Sequence, residues 1–508
     1  MKNRASIFLV LALILSVLSC EKDFDEINTN TVDPTSESVD AVYVLNNAII
    51  GLSFPSGTNI YYEAGVVQQI VTPNSGFVSG ANYNQDNRNN TGNLWDSYYQ
   101  NVIKHTGDVI GQVQDDPEQG NLYNIARIIE AYAFMVLTDT YGEIPYFEAG
   151  RGFSDQIVLP VYDPQSNIYP DLINELKEAV AALNDSGDTV SEVMYGGDLS
   201  KWRKLGNSLL VRIGMRLSNV DSALAQQTVQ DAFTGGVMES NEDNFVIRHD
   251  NNFVNPFGNT FNGTEANNFY LVDGFVNFLF DKDDPRLAAI AIRYIGAASG
   301  PEQVIEIGSK DPTDQIGMPM GHDNSSIGAV ATDLGLASFY DFTQLDRFTM
   351  GANSAPMFLC TYGQTQLLLA EAATNGWTGG NAAEHYADGI RAHMEQLADY
   401  SADIAIPTAD IDDFVAANPL DAGNAIEEIN NQYWVASFLN GPEAFANFRR
   451  SGYPDLTPNP YPGQDITGDF INRLTYPSAE IAVNKENVDA AISRMGPDNL
   501  DTKVWWDN

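Results

Sequence analysis

Two segments of the chain combine aromatic rings with amide and charged side chains, which are the residue types that bind sugars. A flat aromatic face covers the apolar side of a pyranose, while Asn, Asp, Gln or Arg at the rim contact its hydroxyls. The first segment covers residues 77–95 and the second covers residues 251–270. The residues that we predict to contact a ligand are Asn82, Tyr83, Asp86, Arg88, Phe257, Phe261, Asn262 and Tyr270.

Adjacent acidic residues could instead supply the two carboxyl groups of a glycoside hydrolase. Asp115 with Asp116 and Asp283 with Asp284 are such pairs. A glycosidase holds its carboxyls roughly 5 to 10 Å apart across a cleft, and a sequence does not reveal that separation. Because the chain contains 68 acidic residues, adjacent pairs carry no information by themselves. A surface glycoside hydrolase therefore stays an alternative without assigned catalytic residues.

The remaining residue types that could bind a metal or a cofactor form no recognisable pattern. His385 and His393 are eight residues apart, which is two helical turns rather than the single turn of a helical zinc motif. No EF-hand spacing is present, although Asp and Asn loops leave a structural calcium ion possible. No phosphate-binding loop, dinucleotide fingerprint or nucleophile elbow occurs, so we predict no cofactor and assign no metal ligands.

A cysteine near the start of the chain indicates lipid attachment. Two basic residues precede an apolar run over residues 7–18, which is shorter than the roughly 20 residues of a membrane-spanning helix. Residues 17–20, Val-Leu-Ser-Cys, resemble a bacterial lipobox, in which the cysteine is acylated and becomes the mature N-terminus. We therefore predict that residues 1–19 are a lipoprotein signal peptide and that Cys20 carries a membrane anchor.

The segment after this cysteine predicts a tether and a location. Residues 20–40 are rich in acidic and polar side chains and show no hydrophobic periodicity, as expected for a solvated linker. An acidic run directly after an acylated cysteine also resembles the surface-export signal of Bacteroidetes lipoproteins. We expect a protein anchored in the outer membrane with its body facing the cell exterior.

The charge of the chain excludes one class of partner. The formal net charge is −42, and removal of residues 1–19 changes it to about −44 because they hold two basic and no acidic residues. A field of this sign repels nucleic acid, so we expect no nucleic-acid partner. With Cys20 acylated, Cys360 is the one cysteine left, and its apolar neighbours indicate a buried, inert thiol.

Most of the segments that must position the candidate ligand-binding residues show helical periodicity. Apolar residues recur at helical spacing in several segments, and no convincing series of alternating strands competes with them. The predicted helices cover residues 94–110, 123–138, 171–183, 202–217, 357–373, 382–400 and 426–439. The sequence therefore predicts a mostly α-helical protein built from helix pairs, with few short strands.

We predict a single body over residues 41–508, since no flexible linker divides it. Residues 41–234 form a helical repeat part, residues 235–356 a loop-rich insertion, and residues 357–508 a second set of helices and loops. In the insertion, Asn, Gly, Asp and aromatic residues replace the helical pattern. Long ordered loops on a rigid scaffold commonly carry function, so the insertion is the expected ligand-binding region.

Five motifs, spread in order along the chain, resemble those of the SusD/RagB family of outer-membrane nutrient-binding lipoproteins, in its SusD-like branch. They are YGEIPY at 141–146, WRKLGNSL at 202–209, DPRL at 284–287, NGPEAF at 440–445 and FRRSGYP at 448–454. Read physically, these motifs are scaffold. Arg449 and Arg450, for example, are expected to bind buried carbonyl or carboxylate oxygens and fix a loop.

The resemblance implies tetratricopeptide-like helix pairs that support a loop-rich ligand-binding region. It also implies a partner, a TonB-dependent outer-membrane barrel of the SusC type, over which the protein would sit like a lid. Members of the family capture glycans or peptides, pass them inward and lack catalytic activity. The alternatives are the surface glycoside hydrolase named above and a structural or adhesive surface lipoprotein.

Overall fold

A computed structural model describes residues 39–74, 80–85, 88–152, 155–263 and 266–507. The predicted signal peptide, the predicted acylation site Cys20 and nearly all of the predicted tether lie outside these residues. None of the helices in the described ranges is both long and apolar enough to cross a membrane.

Helices account for most of the first part of the chain. Two of them, α2 (residues 56–66) and α3 (residues 89–113), pass through π-helical turns at Asn59–Glu63 and Tyr99–Ile103. The other helices of this part are α1 (Ala41–Gly51), α4 (Gly120–Tyr141), α5 (Gln165–Ala182), α6 (Leu199–Arg216) and α7 (Ser222–Gly235).

The helices of the insertion are at most nine residues long, and most of the helices after it are longer. Those of the insertion are α8 (Pro256–Asn262), α9 (Asp273–Asp281), α10 (Arg286–Ile290) and α11 (Ile327–Asp333). Those that follow are α12 (Tyr362–Thr374), α13 (Ala382–Gln396), α14 (Thr408–Ala417), α15 (Ala425–Ala436), α16 (Gly441–Ser451), α17 (Ser478–Val483) and α18 (Lys485–Met495).

Seven short strands form three small antiparallel sheets within the described part of the chain. The strands are β1 (Ile70–Val71), β2 (Phe245–Ile247), β3 (Tyr270–Leu271), β4 (Ala291–Tyr294), β5 (Gly308–Ser309), β6 (Gln344–Leu345) and β7 (Met357–Cys360). β1 pairs with β3, β2 pairs with β7, and β4 lies between β5 and β6. The prediction of a mostly α-helical protein with few short strands is confirmed.

Consecutive helices pack as pairs, as expected for a tetratricopeptide-like scaffold. α4 packs on α5, α6 on α7, and α12 on α13, while α6 also contacts α5 and α12. α4 is buried along almost its whole length, which agrees with its apolar residues on nearly all faces. One main hydrophobic core includes side chains from both ends of the body, from Ala41 to Trp506.

Several predicted helix starts are wrong by three to six residues, and two of these differences have a clear physical cause. The helix predicted from residue 171 begins at Gln165, with Pro170 inside it. Pro170 removes one backbone hydrogen bond, but the burial of Ile168 and Tyr169 in the core favours the longer helix. The helix predicted from residue 357 begins at Tyr362, after β7, because a capping box of Thr361 and Gln364 fixes its start.

A cluster of buried charges joins the first part of the chain to the last. Arg212 and Arg216 lie one turn apart on α6, and their nitrogens approach Glu443 Oε2 on α16 at 3.3 and 2.8 Å. Arg216 also pairs with Asp139 on α4 at 3.2 Å. The Tyr433 hydroxyl donates to Glu443 Oε1 at 2.8 Å. All four charged side chains are buried, so the pairing must be kept when the helices pack.

The ionisation of Glu443 is set by this cluster. Burial by itself would raise the pKa of the carboxyl group, but Arg212 and Arg216 outweigh it and hold the pKa below its usual value. The contribution of the carboxylate to stability is therefore present above the pKa of an unfolded glutamate. It is lost as the pH falls through the lower pKa of the folded state.

Glu443→Gln should lower the free energy of unfolding by about 3 to 5 kcal/mol, because it keeps the volume but leaves two buried guanidinium groups short of an anion. Urea denaturation measures this loss. The matched control is Glu239→Gln, which removes an exposed ion pair with Lys204 and should cost about 1 kcal/mol or less. Equal effects of the two substitutions would contradict the role assigned to the buried cluster.

Candidate ligand-binding site

At one end of a strand pair, the structure brings the residues just before the first predicted segment next to the second predicted ligand-binding segment. β1 pairs antiparallel with β3, with Ile70 opposite Leu271 and Val71 opposite Tyr270. The chain therefore leaves β1 at the same end of the strand pair at which it enters β3. Just beyond the strands, the Asn74 Nδ2 group donates to Asn268 Oδ1 at 3.1 Å. The segment after residue 71 and the segment before residue 270 thus lie side by side.

The predicted residues of the first segment are held inside the scaffold. Asn82 is buried; its Nδ2 donates to the His322 carbonyl at 3.0 Å. Tyr83 is also fully buried, and its ring lies 6.1 Å from that of Phe470. The Arg88 guanidinium donates to the Tyr476 carbonyl at 3.0 Å and pairs with Asp498. Asp86 lies outside the described residues.

The predicted aromatic residues of the second segment are buried as well. Phe257, Phe261 and Tyr270 are each exposed by less than 5%. Tyr270 donates its hydroxyl proton to the carbonyl oxygen of Asn267 at 2.7 Å. The Asn262 amide donates to the Gly351 carbonyl at 2.7 Å and to the Gly258 carbonyl at 3.1 Å. A fully buried ring offers no face to a sugar, so these three rings and Tyr83 are scaffold in this structure.

Arg347, which the sequence analysis did not single out, fastens the loops around this edge. It donates to the Ala266 and Gln303 carbonyls, both at 2.8 Å. Its guanidinium carbon also lies 5.6 Å from the ring centre of Tyr294 and 5.3 Å from that of Phe348. One cation therefore connects three loops and supports two rings.

Phe348 is the aromatic residue here that has an open face, with 49% of its surface exposed. Its N–H donates to Asp346 Oδ1 at 3.0 Å. The other carboxylate oxygen of buried Asp346 pairs with Lys310 Nζ at 2.5 Å. The ring is thus presented to solvent by a backbone that neighbouring charges hold in place.

Tyr61 adds a second, partly exposed ring from α2. It stacks on Phe269 with 5.4 Å between ring centres and 12° between ring planes. Phe269 itself is buried and directly follows Asn268. We define the loop site as Tyr61, Asn74, Asn268, Arg347 and Phe348. Its two rings, two amides and one guanidinium are the groups that sugar binding requires.

A signal for these residues exists in the sequence, but it is weak. Arg347 stands between Asp346 and Phe348 in a chain that has only 26 basic residues, so a cation inside the insertion could have drawn attention. Asn74 and Asn268 are unremarkable until the pairing of β1 with β3 is known. Of the five residues, Asn268 alone lies in a predicted ligand-binding segment, while Arg347 and Phe348 lie elsewhere in the predicted loop-rich insertion.

The described residues show no evident site for the structural calcium ion that the sequence leaves possible. The described ranges contain no group of three or more His, Cys, Asp or Glu side chains that could hold a metal ion. Cys360 is buried, and burial raises the pKa of its thiol, which agrees with the predicted inert role. Calcium binding by the chain stays a prediction.

The chain matches one protein-family model and several solved structures. The family model is that of the SusD-like proteins described as starch-binding and associating with the outer membrane, and it matches residues 33–477. A search of curated proteins finds no match.

Among the similar structures is a chitin-binding protein that is 30% identical, with 92% of this chain and 100% of that chain covered and a TM-score of 0.81. A SusD-like protein from Bacteroidetes is 26% identical over 92% of this chain and 100% of that chain, with a TM-score of 0.79. A chitin-binding SusD homologue from Flavobacterium johnsoniae is 24% identical over 92% and 98%, with a TM-score of 0.74.

The difference between scaffold rings and the open ring can be measured. Phe261→Ala should lower the free energy of unfolding by about 3 to 5 kcal/mol, because it empties a buried position. Phe348→Ala should cost about 1 kcal/mol or less, since its ring is half exposed. Thermal or urea unfolding of the two variants measures both values. A loss for Phe348→Ala as large as that for Phe261→Ala would show that its ring is structural.

Proposed function

The chain belongs to the SusD-like family of starch-binding proteins associated with the outer membrane, and we propose that it captures glycans at its loop site for uptake. The observation that carries the proposal is the convergence of separate loops around the open ring of Phe348. Arg347 holds these loops on the helical scaffold, so the site is formed before a ligand arrives.

The chemistry of the loop site suits a neutral glycan. Phe348 and Tyr61 can cover the apolar faces of sugar rings, and the side-chain amides of Asn74 and Asn268, which bond each other, are of the type that exchanges hydrogen bonds with hydroxyl groups. Arg347 already donates to the Ala266 and Gln303 carbonyls. Its main contribution is therefore to hold the rings of Tyr294 and Phe348. A strongly negative chain has no electrostatic reason to reject a neutral ligand.

Oligosaccharides of N-acetylglucosamine are the glycans that we propose first. The support is the 30% identical relative, which is a chitin-binding protein and aligns over nearly the whole length of both chains. An acetamido group adds a methyl that packs on a ring such as Phe348, and an amide that pairs with a side-chain amide such as Asn268. Peptides, the other ligand class that we considered, are a comparison ligand in the test.

We further propose that the protein is anchored through acylated Cys20, faces the exterior and delivers its ligand to a TonB-dependent barrel of the SusC type. Family membership and the lipobox-like residues 17–20 support this arrangement. We also propose that the protein is not an enzyme. In support, the Asp346 carboxylate beside the loop site is buried and paired with Lys310, so it is not presented to a ligand.

Isothermal titration of the full chain with N-acetylglucosamine hexamer should show saturable binding, which Phe348→Ala weakens roughly tenfold, because an aromatic contact contributes about 0.5 to 1.5 kcal/mol beyond area burial. The control is Phe147→Ala, which removes a ring that is 43% exposed but belongs to the loop after α4. Equal weakening by both substitutions, or tighter binding of peptides than of glycans, would contradict the proposed site or ligand.

The same titrations decide between a binding protein and an enzyme. After each titration, chromatography of the hexamer should return it intact. Release of shorter oligosaccharides that increases with time would contradict the non-catalytic role. It would favour the glycoside hydrolase considered from the sequence.

A further inference from the structure

A cavity lies apart from the loop site, near the start of α8. Its volume is about 250 Å³, and its walls come from α1, β2, residues 193–194 and residues 248–253. Phe253 in its wall lies just before Asn255, the residue that caps the N-terminus of α8. Arg347, by contrast, lies near the C-terminus of α8, where its carbonyl accepts from the Asn262 amide.

Most of the cavity wall is apolar. Ile49 and Ile50 form the part contributed by α1, Val246 and Ile247 form the part contributed by β2, and Met194 also lines the cavity. A dry apolar cavity of about 150 Å³ is enough for a benzene ring. The volume here therefore suits one large apolar side chain rather than a sugar ring, which needs polar partners throughout.

Local hydrogen bonds hold this wall in place. The Asn46 side chain of α1 accepts from the Val193 N–H at 2.9 Å and donates to the Ser191 carbonyl at 3.4 Å. The Phe253 ring stacks on His249 with 4.8 Å between ring centres. His249 is itself fixed, with Nδ1 3.1 Å from the Ala355 carbonyl. The cavity is thus formed by residues that neighbouring elements restrain.

One cation and one anion line the same cavity. Arg248 and Asp250, one and three residues after the end of β2, both line the cavity. The Arg248 side chain is 66% exposed, and its contact with Asp399 is 3.6 Å long. Asp250 accepts the N–H groups of Asn252 and Phe253 through Oδ1. Opposite charges therefore lie next to an apolar cavity.

We propose that this cavity binds a free α-amino acid with a large apolar side chain. The side chain would occupy the cavity, the α-carboxylate would pair with Arg248, and the α-ammonium would pair with Asp250. The charge complementarity selects this occupant, since a zwitterion matches both charges while a hydrocarbon or a neutral sugar matches neither. The site is independent of the glycan site and does not rest on the proposed function.

Four titrants test the three contacts on the full chain. L-phenylalanine should bind saturably and shift the methyl resonance of Met194, assigned with Met194→Leu, in protein labelled at methionine methyl groups. Glycine lacks the side chain, N-acetyl-L-phenylalanine lacks the ammonium, and L-phenylalanine amide lacks the carboxylate. Each of these should bind at least tenfold more weakly. Equal binding of any one of them would overturn the corresponding contact and with it the proposal.

Substitutions test the two charged contacts proposed for the amino acid. Arg248→Gln and Asp250→Asn should each weaken L-phenylalanine at least tenfold, and the asparagine keeps an oxygen for the two N–H groups of the turn. Asp399→Asn is the matched control; because it removes the competing partner of Arg248, affinity should be unchanged or higher. The affinity for N-acetylglucosamine hexamer should stay the same in all three variants, which separates loss of this site from loss of the fold.

Two further results would overturn the proposal. One is no movement of the Met194 resonance with L-phenylalanine up to about 10 mM, which excludes a millimolar or tighter dissociation constant. The other is binding that Arg248→Gln leaves unchanged. Failure of the hexamer to bind would bear only on the glycan site, because the amino-acid titration is read independently.

Discussion

Glu443 binds two arginines inside the core, and the packing of the two ends of the chain depends on this contact. Arg212 and Arg216 reach it from α6, and Arg216 continues to Asp139 on α4. Burying these charges is favourable only if all of them meet, so α4, α6 and α16 have one mutual arrangement. Arg449, which the sequence analysis assigns to the scaffold, extends the cluster. It donates to the Asp139 and Asn472 carbonyls at 2.7 and 2.8 Å.

The loop site inherits its rigidity from this frame. α2 carries Tyr61 and continues toward β1, whose pairing with β3 sets the edge where the loops meet. Arg347 then fixes the neighbouring loops through two carbonyl oxygens. Cys360 is the only cysteine in the described residues, so buried ion pairs and hydrogen bonds, rather than disulfides, connect these segments. A preformed site of this kind loses little entropy when a ligand binds.

The helices could be predicted from the sequence because each has a local cause. Apolar spacing marks α4 and α6, and Asp198 caps α6 through two backbone N–H groups. The helix predicted over residues 357–360 is a strand in the structure. Four buried apolar residues in a row have no periodicity, and pairing with β2 makes them a strand. The arginine contacts predicted for Arg450 are confirmed by its two bonds to Glu371, at 2.6 and 2.7 Å.

The site was harder to predict because exposure is a property of the whole fold. Tyr83 and Phe348 both stand between polar residues in the sequence, yet one ring is fully buried and the other is half exposed. Composition pointed to segments that combine rings with amides, and of the loop-site residues Asn268 alone lies in one of those segments. It could not say which ring faces solvent, since that depends on contacts with residues such as Phe470, far along the chain.

A crystal structure of the full chain with bound N-acetylglucosamine hexamer tests the central claim most directly. The account predicts a sugar ring on the open face of Phe348, with hydrogen bonds from the hexamer to Asn74 or Asn268. Little movement of the surrounding loops is expected, because Arg347 already holds them. An intact hexamer bound elsewhere, with Phe348 still facing solvent, would contradict the account.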